Sequence, residues 1–173
     1  MSNHYVWTSD SSDPDPGATP VEIEQMEHRL GVTFPRSLKD GYLVSNTASI
    51  FKDGKLCDEA ISGPRAAGGE YKGFFQDLDP LESLPREQKG LQDWVDDVFE
   101  RSIDDVIPFA SLGGGGWTCL NYQNDPTRAN PEIWQFDQNG TSFEDCFTKV
   151  ADNFDDLIEM LVSEDDLERL GFG

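Results

Sequence analysis

Residues 106–136 constrain the fold more than any other part of this sequence. Three runs rich in β-branched and aromatic residues, 106–110, 117–122 and 132–136, are separated by turn-forming residues, which is typical of short β-strands. We therefore predict two or three adjacent strands of one sheet. Pro108 lacks an amide donor, so the first run is either an edge strand or ends its pairing there.

Four consecutive glycines, Gly113 to Gly116, lie between the first two runs. A phosphate-binding loop requires a helix behind it, and usually a lysine with a serine or threonine. Here a strand-like run beginning at Trp117 follows instead. We interpret the glycines as a structural loop or bulge, in which Gly115 and Gly116 allow backbone conformations and close contacts that other residues disfavour.

The length of 173 residues predicts a single domain with its own hydrophobic core. We expect residues 1–18 to form a flexible N-terminal arm, pinned through Trp7, and residues 19–173 to form the domain. The sequence has no apolar run of membrane-spanning length and no secretory signal pattern, so we expect a soluble cytoplasmic protein. The three cysteines lack paired spacing, which favours buried thiols over a zinc site or disulfides.

Two helices are predicted near the start of the domain. The first begins with residues 19–22, which have the form of a capping box, and ends at Gly31. Pro35 lies near the start of the second helix, and Asn46 is placed to close it in a left-handed turn. The apolar side chains expected to join the helices into a hairpin are Ile23, Met26, Leu30, Leu38 and Tyr42.

Glu27 lies close to the apolar side of the first helix, where a carboxylate is poorly solvated. We therefore expect Glu27 to accept hydrogen bonds from the backbone of the following turn. Farther along the chain, residues 56–61 and 71–75 are candidates for short strands. Residues 91–99 predict a clear amphipathic helix, because their apolar side chains recur at helical spacing. The side chains expected to face the core are Leu91, Trp94, Val95, Val98 and Phe99.

The end of the sequence predicts a hairpin followed by helices. Residues 137–140 include Asn-Gly, which favours a tight turn, and we expect residues 141–147 to form the returning strand. Asp152 is placed to cap a last helix that buries Phe154, and Ser163 can cap a final turn.

The charge of the chain is strongly acidic, with 34 Asp and Glu residues against 13 Lys and Arg residues and a formal net charge of −21. Such a field repels nucleic acid and anionic membranes and attracts basic partners. The same excess is also explained by solubility or by a salty cytoplasm in the source organism. Composition alone leaves these explanations open.

The sequence offers few residues for catalysis. Its two histidines are His4, in the expected arm, and His28, which points away from the apolar side of the first helix. Neither is placed for a shielded nucleophilic pair. The acidic runs lack the alternating spacing and central glycine of a calcium loop. We therefore expect no catalytic residue, no metal and no cofactor.

The order of these features resembles the SUKH superfamily, whose members include fungal cell-wall-synthesis regulators and many bacterial immunity proteins. The similar segments, which span residues 21–162, are 27–35, Tyr42-Leu43 with Asn46, 107–110, 113–116 and 153–157. The resemblance implies a single α+β domain, with a central, largely antiparallel sheet flanked by an N-terminal helical hairpin and a C-terminal helix. It also implies binding rather than catalysis. Within that pattern we assign structural roles to Glu27, Gly31, Pro35, Asn46, Pro108, Gly115, Gly116 and Phe154.

The leading functional hypothesis from this resemblance is an immunity protein that binds and neutralises a cognate toxin. The acidic surface fits a basic toxin such as a nuclease. The candidate contact residues are Asp93, Asp96, Asp97 and Glu100 on the third helix, Asp104 and Asp105 beside it, and Trp117 as an uncharged anchor. Two alternatives stay open: a regulatory interaction module like the fungal relatives, and an enzyme with an unrecognised carboxylate site.

Overall fold

A computed structural model describes residues 5–9, 16–61, 70–75, 77–112 and 114–171. The helices are α1 (Pro20–Leu30), α2 (Arg36–Val44), α3 (Leu84–Phe99), α4 (Phe143–Cys146), α5 (Phe154–Met160) and α6 (Glu164–Arg169), with a 3-10 turn at Leu81–Ser83 before α3. The strands are β1 (Tyr5–Thr8), β2 (Ser49–Lys52), β3 (Lys55–Leu56), β4 (Glu59–Ile61), β5 (Tyr71–Phe74), β6 (Val106–Leu112), β7 (Gly116–Asn121), β8 (Glu132–Asp137), β9 (Phe147–Ala151) and β10 (Leu161–Val162).

The α+β prediction is confirmed, and the described residues form three antiparallel sheets where one central sheet was expected. The largest has the order β6-β7-β8-β9, and the two three-stranded sheets have the orders β1-β2-β3 and β10-β4-β5. The three strands predicted from residues 106–136 are neighbours in the large sheet. Pro108 lies on its edge strand β6, and the register shifts between Pro108 and Ala110. An edge position and an irregularity are where a residue without an amide donor is tolerated.

The glycine loop joins β6 to β7, and the described part of it favours the structural interpretation. Gly115 has a φ of +90°, and a Cβ atom there would lie 2.1 Å from the Gln138 side-chain nitrogen. A Cβ atom on Gly116 would lie 2.6 Å from the carbonyl oxygen of Phe136. Both positions therefore exclude larger residues because the β8 side of the hairpin is too close. Gly113 lies outside the described residues.

Two described stretches of the N-terminal segment, residues 5–9 and 16–18, pack against the domain, and Trp7 pins the first of them. Tyr5–Thr8 pairs antiparallel with β2, and Trp7 is buried, with its indole nitrogen 3.0 Å from the Ser37 carbonyl oxygen. A 2.7 Å hydrogen bond from the Ala18 amide to the Tyr42 carbonyl oxygen holds residues 16–18 against α2. Strand β1 was not predicted because a run of four residues shows little periodicity. Residues 1–4 and 10–15 lie outside the described residues.

The helical hairpin of α1 and α2 forms as predicted, except for the role expected of Asn46. Thr19 and Glu22 make a reciprocal capping box, and Gly31 ends α1 with a φ of 68°. Pro35 is the residue before α2. The Glu27 carboxylate accepts a 2.6 Å hydrogen bond from the Phe34 amide and a 3.1 Å bond from Lys39, which satisfies it as expected.

Asn46 does not close α2 in a left-handed turn, and that prediction is wrong. The helix ends at Ser45 in extended conformation. The Asn46 side chain instead donates a 3.2 Å hydrogen bond to the Pro16 carbonyl oxygen. Its role is therefore to hold the chain before α1, a contact over 30 residues that local turn chemistry does not reveal.

The large sheet separates two apolar clusters. Cys119 and Leu120 are adjacent on β7, so their side chains lie on opposite faces, and they belong to the smaller and the larger cluster respectively. Helices α1, α2 and α5 contribute to the larger cluster, whereas α3 covers the other face with Leu91 and Val95. The smaller cluster is mainly aromatic at its margin, where the partly buried residues are Trp94, Phe99, Trp117, Trp134 and Phe143.

Three details of the later helices and strands differ from the sequence prediction. Helix α3 begins at Leu84 rather than at residue 91, and Val98 is 52% exposed rather than buried. The segment predicted as a returning strand over 141–147 contains α4, because the Ser142 hydroxyl accepts a hydrogen bond from the Asp145 amide and caps a helical turn. Strand β9 follows that turn.

The C-terminal helices start with side-chain caps. Asn153, rather than Asp152, caps α5, and Ser163 caps α6 as predicted. Phe154 at the start of α5 is buried and stacks with Trp7 at a centroid distance of 6.4 Å. The start of α5 is thereby fixed to the N-terminal strand.

Candidate partner-binding face

Helix α3 presents the sequence-predicted acidic residues on its outer side. Leu91 and Val95 are fully buried against the large sheet, and the helical period turns Asp93, Asp96 and Asp97 outward. These three carboxylates and that of Glu100 are exposed. We refer to Asp93, Asp96, Asp97 and Glu100 as the α3 acidic face.

Two of the predicted contact residues are partly neutralised by neighbouring cations. The Lys89 ammonium lies 2.6 Å from the Asp93 carboxylate, and the Arg128 guanidinium lies 2.6 Å from Asp105. Asp104 accepts a 2.8 Å hydrogen bond from the Ser102 hydroxyl. Among the described residues, Asp96, Asp97 and Glu100 take part in no ion pair. These three therefore carry the uncompensated negative charge of the face.

The uncompensated charges occupy an unfavourable place for helix stability. The C-terminal end of a helix carries a partial negative charge and favours cations, yet the last turn of α3 contains no basic residue. Glu100 also has a φ of 53°, a left-handed conformation that is costly for a residue with a Cβ atom. Folding stability alone would favour a glycine or a basic residue at these positions.

Trp117 lies beside this helix, as part of the aromatic margin of the smaller cluster. Its ring stacks on Phe136 at 5.6 Å, and Trp94 of α3 meets the same ring edge-on at 4.9 Å. Trp117 is partly buried, so it presents one side of its ring rather than projecting into solvent. The structure thus brings Trp117 and the helix together through Phe136.

Three further residues join the surface that sequence reasoning did not select. Phe99 and Phe143 meet edge-on at 5.7 Å, and the Arg101 guanidinium lies 4.6 Å from the centre of the Phe143 ring. Phe99 was predicted to face the core, and Phe143 was placed in a strand. Helical spacing could have indicated Phe99. The position of Phe143 depends on the α4 turn and on a contact with Phe99, more than 40 residues away in sequence.

Cysteine and histidine, residue types often used in catalysis and metal binding, are few in the described part of the chain. The three cysteines are buried, and burial raises the pKa of the Cys119 thiol. No group of three or more metal-ligating side chains occurs among residues 5–9, 16–61, 70–75, 77–112 and 114–171. His28 is exposed on α1, and His4 lies outside those ranges. No helix within them is long and apolar enough to cross a membrane.

The comparisons with known proteins agree with the fold. A search of curated proteins found no match. The SMI1 / KNR4 family (SUKH-1) model matches residues 17–160, which cover the helical hairpin, all of the large sheet and α5. That match extends over more than half of the 173 residues, and the chain belongs to the SMI1 / KNR4 family (SUKH-1).

Proposed function

We propose that this protein is an immunity protein that binds and neutralises a basic toxin, with the α3 acidic face and the neighbouring aromatic residues as its contact surface. Family membership supports a protein-binding role of the immunity or regulatory kind. The observation that favours the specific form is the carboxylate group at the end of α3. Asp96, Asp97 and Glu100 lack compensating cations among the described residues and oppose the helix dipole, which is expected where partner binding matters more than stability.

The mechanism is occlusion of a basic site on the toxin. A nuclease holds its substrate phosphates with Lys and Arg side chains, and carboxylates spaced along a helix can take the place of those phosphates. Partly buried aromatic residues such as Trp117 and Phe143 provide contact area at low entropic cost and suit the centre of an interface. An interface of about 1,600 Å² in total is sufficient for a stable complex.

The regulatory alternative uses the same surface for a different outcome. In that case the α3 acidic face recruits signalling or cell-wall-synthesis partners without blocking an active site. Family membership alone is compatible with both roles. The nature of the captured partner separates them.

The test is affinity capture from the source organism's lysate, followed by association kinetics with the captured protein at several salt concentrations. We expect one near-stoichiometric partner with a basic toxin domain, whose activity the protein blocks. The variant Asp96→Asn, Asp97→Asn, Glu100→Gln should slow association by about tenfold, because long-range attraction steers the encounter. The variant Glu24→Gln, Asp40→Asn, Glu168→Gln removes the same charge from exposed sites elsewhere and should slow it much less.

Each other outcome has a defined meaning. Equal effects of the two triple variants would remove the α3 acidic face from the proposal, and association that is independent of salt would remove its electrostatic basis. Capture of several signalling or cell-wall proteins, with no inhibited toxin among them, would favour the regulatory role.

A further inference from the structure

A second surface, separate from α3, is a cleft of about 420 Å³ beside β2 and β3. Its lining combines polar and acidic side chains with apolar ones, which include Ile50, Phe75, Leu78 and Pro80. Ile50, Phe75 and Leu78 belong to the larger apolar cluster. The core therefore holds the floor of the cleft in place. A preformed apolar cleft with a few polar groups is the usual form of a binding site.

Three carboxylates line this cleft, those of Asp58, Asp77 and Asp79. The Ser49 hydroxyl donates to Asp77, and the Ser111 hydroxyl donates to Asp79 at 2.9 Å. No Lys, Arg or His is among the lining residues. Burial raises the pKa of both Asp58 and Asp79. The like charges and the incomplete hydration both favour a cation in the cleft.

An apolar row leads to the cleft across the outer face of the β1-β2-β3 sheet. Val6 pairs with Phe51, and Phe51 pairs with Leu56, so the three side chains lie side by side on one face. Val6 is 58% exposed and Leu56 is 43% exposed. Leu56 also lines the cleft. The row and the cleft therefore form one continuous surface, apolar at one end and acidic at the other.

The chemistry of the surface discriminates among cations. The described residues contain no cluster of three acidic, His or Cys side chains able to hold a metal ion, so the carboxylates do not converge on one point. A guanidinium group is planar and weakly hydrated, and it binds carboxylates through paired hydrogen bonds. Arginine therefore matches a cleft with separated carboxylates.

We propose that this surface binds a basic segment of a partner protein, with an arginine side chain in the cleft among Asp58, Asp77 and Asp79 and a neighbouring apolar side chain on the row Val6, Phe51 and Leu56. The inference goes beyond the α3 acidic face and does not depend on it. Charge complementarity and continuity with an exposed apolar row support this occupant.

The test is an NMR titration of the full-length ¹⁵N-labelled protein with the capped peptide acetyl-Leu-Arg-Leu-amide. The control peptide carries citrulline, which has nearly the shape of arginine but no charge. We expect saturable shifts confined to amides of the cleft and the row, with affinity for the arginine peptide at least about fivefold higher. Equal affinities, or shifts spread over all acidic surfaces, would overturn the proposal.

Variants of the protein locate the site. Asp77→Asn with Asp79→Asn keeps an acceptor oxygen for the Ser49 and Ser111 hydroxyls, and should weaken binding by about fivefold or more. Glu24→Gln with Asp40→Asn removes the same charge from exposed sites on α1 and α2 and should leave the affinity unchanged. If the cleft variant does not fold, Asp58→Asn and Leu56→Ser serve instead, and each should weaken binding at least about twofold. An unchanged affinity in folded cleft variants would contradict the proposal.

Discussion

At the residue scale, Gly17 is a position where an added side chain would meet backbone atoms directly. A Cβ atom there would lie 2.2 Å from the Leu43 carbonyl oxygen, which is backbone and cannot move aside. We expect Gly17→Ala to lower the free energy of unfolding by about 2 kcal/mol, measured by urea denaturation. Gly90→Ala is the matched control, because it lies within α3 with no atom within 4 Å of the added Cβ. It should raise stability by about 0.5–1 kcal/mol. Equal effects of the two substitutions would contradict this view of residues 16–18.

Residues whose role is local could be predicted from the sequence together with their partners, whereas the partners of residues with distant contacts could not. The capping box at Thr19, the left-handed Gly31 and the backbone hydrogen bond to Glu27 all depend on neighbours within seven residues. Trp7, Gly17 and Asn46 act across 25 residues or more. For those three, residue type alone does not name the partner.

At the element scale, substitutions of Glu100 measure how much folding stability this residue costs at the end of α3. Glu100→Gly removes both the left-handed strain and a charge that opposes the helix dipole. We expect it to raise the free energy of unfolding by about 1 kcal/mol. Glu100→Gln removes only the charge and should gain less, about 0.3 kcal/mol. Urea denaturation of both variants separates the two causes, and no gain from glycine would show that Glu100 makes a compensating contact.

The elements that the sequence predicted well are those with enough residues to display a period. Strands β6, β7 and β8 and the core-facing side of α3 belong to this group. The first two turns of α3 were missed because residues 84–90 include Pro85 and Gly90 and few apolar residues. The α4 turn replaced a predicted strand because the Ser142 cap outweighs the strand preference of four residues. For the candidate site, helical spacing placed the acidic residues, but the aromatic margin beside them came from tertiary packing.

At the scale of the whole molecule, the net charge of −21 opposes the compact state through self-repulsion. Raising NaCl from about 0.01 M to about 0.1 M shortens the screening length from about 30 Å to about 10 Å. We expect the free energy of unfolding to rise by about 1 kcal/mol over this range. Exposed ion pairs such as Lys89–Asp93 weaken at the same time, but each contributes little. The triple variant of Glu24, Asp40 and Glu168 should show a smaller salt dependence. A fall in stability with added salt would mean that ion pairs dominate.

At the scale of the whole molecule, the pairings of β1 with β2 and of β4 with β10 are remote in sequence, and this explains why one sheet was predicted where the described residues form three. Strand β4 pairs with β10, and Leu161 lies opposite Ala60. Two-residue strands such as β10 have no period of their own and form only because the rest of the fold aligns them. The fold class could be predicted because it depends on the order of longer segments.

The contact between Trp7 and Phe154 has a further consequence for how the chain is made. The two rings stack although they are separated by nearly the whole described chain, and β10 completes its sheet only after residue 162 has been added. Contacts of such long range cannot form on the ribosome until the C-terminal helices have emerged. Phe154 must therefore leave the ribosome before Trp7 gains its stacking partner. Until that moment the Trp7 ring lacks this cover and is more accessible to chaperones and proteases.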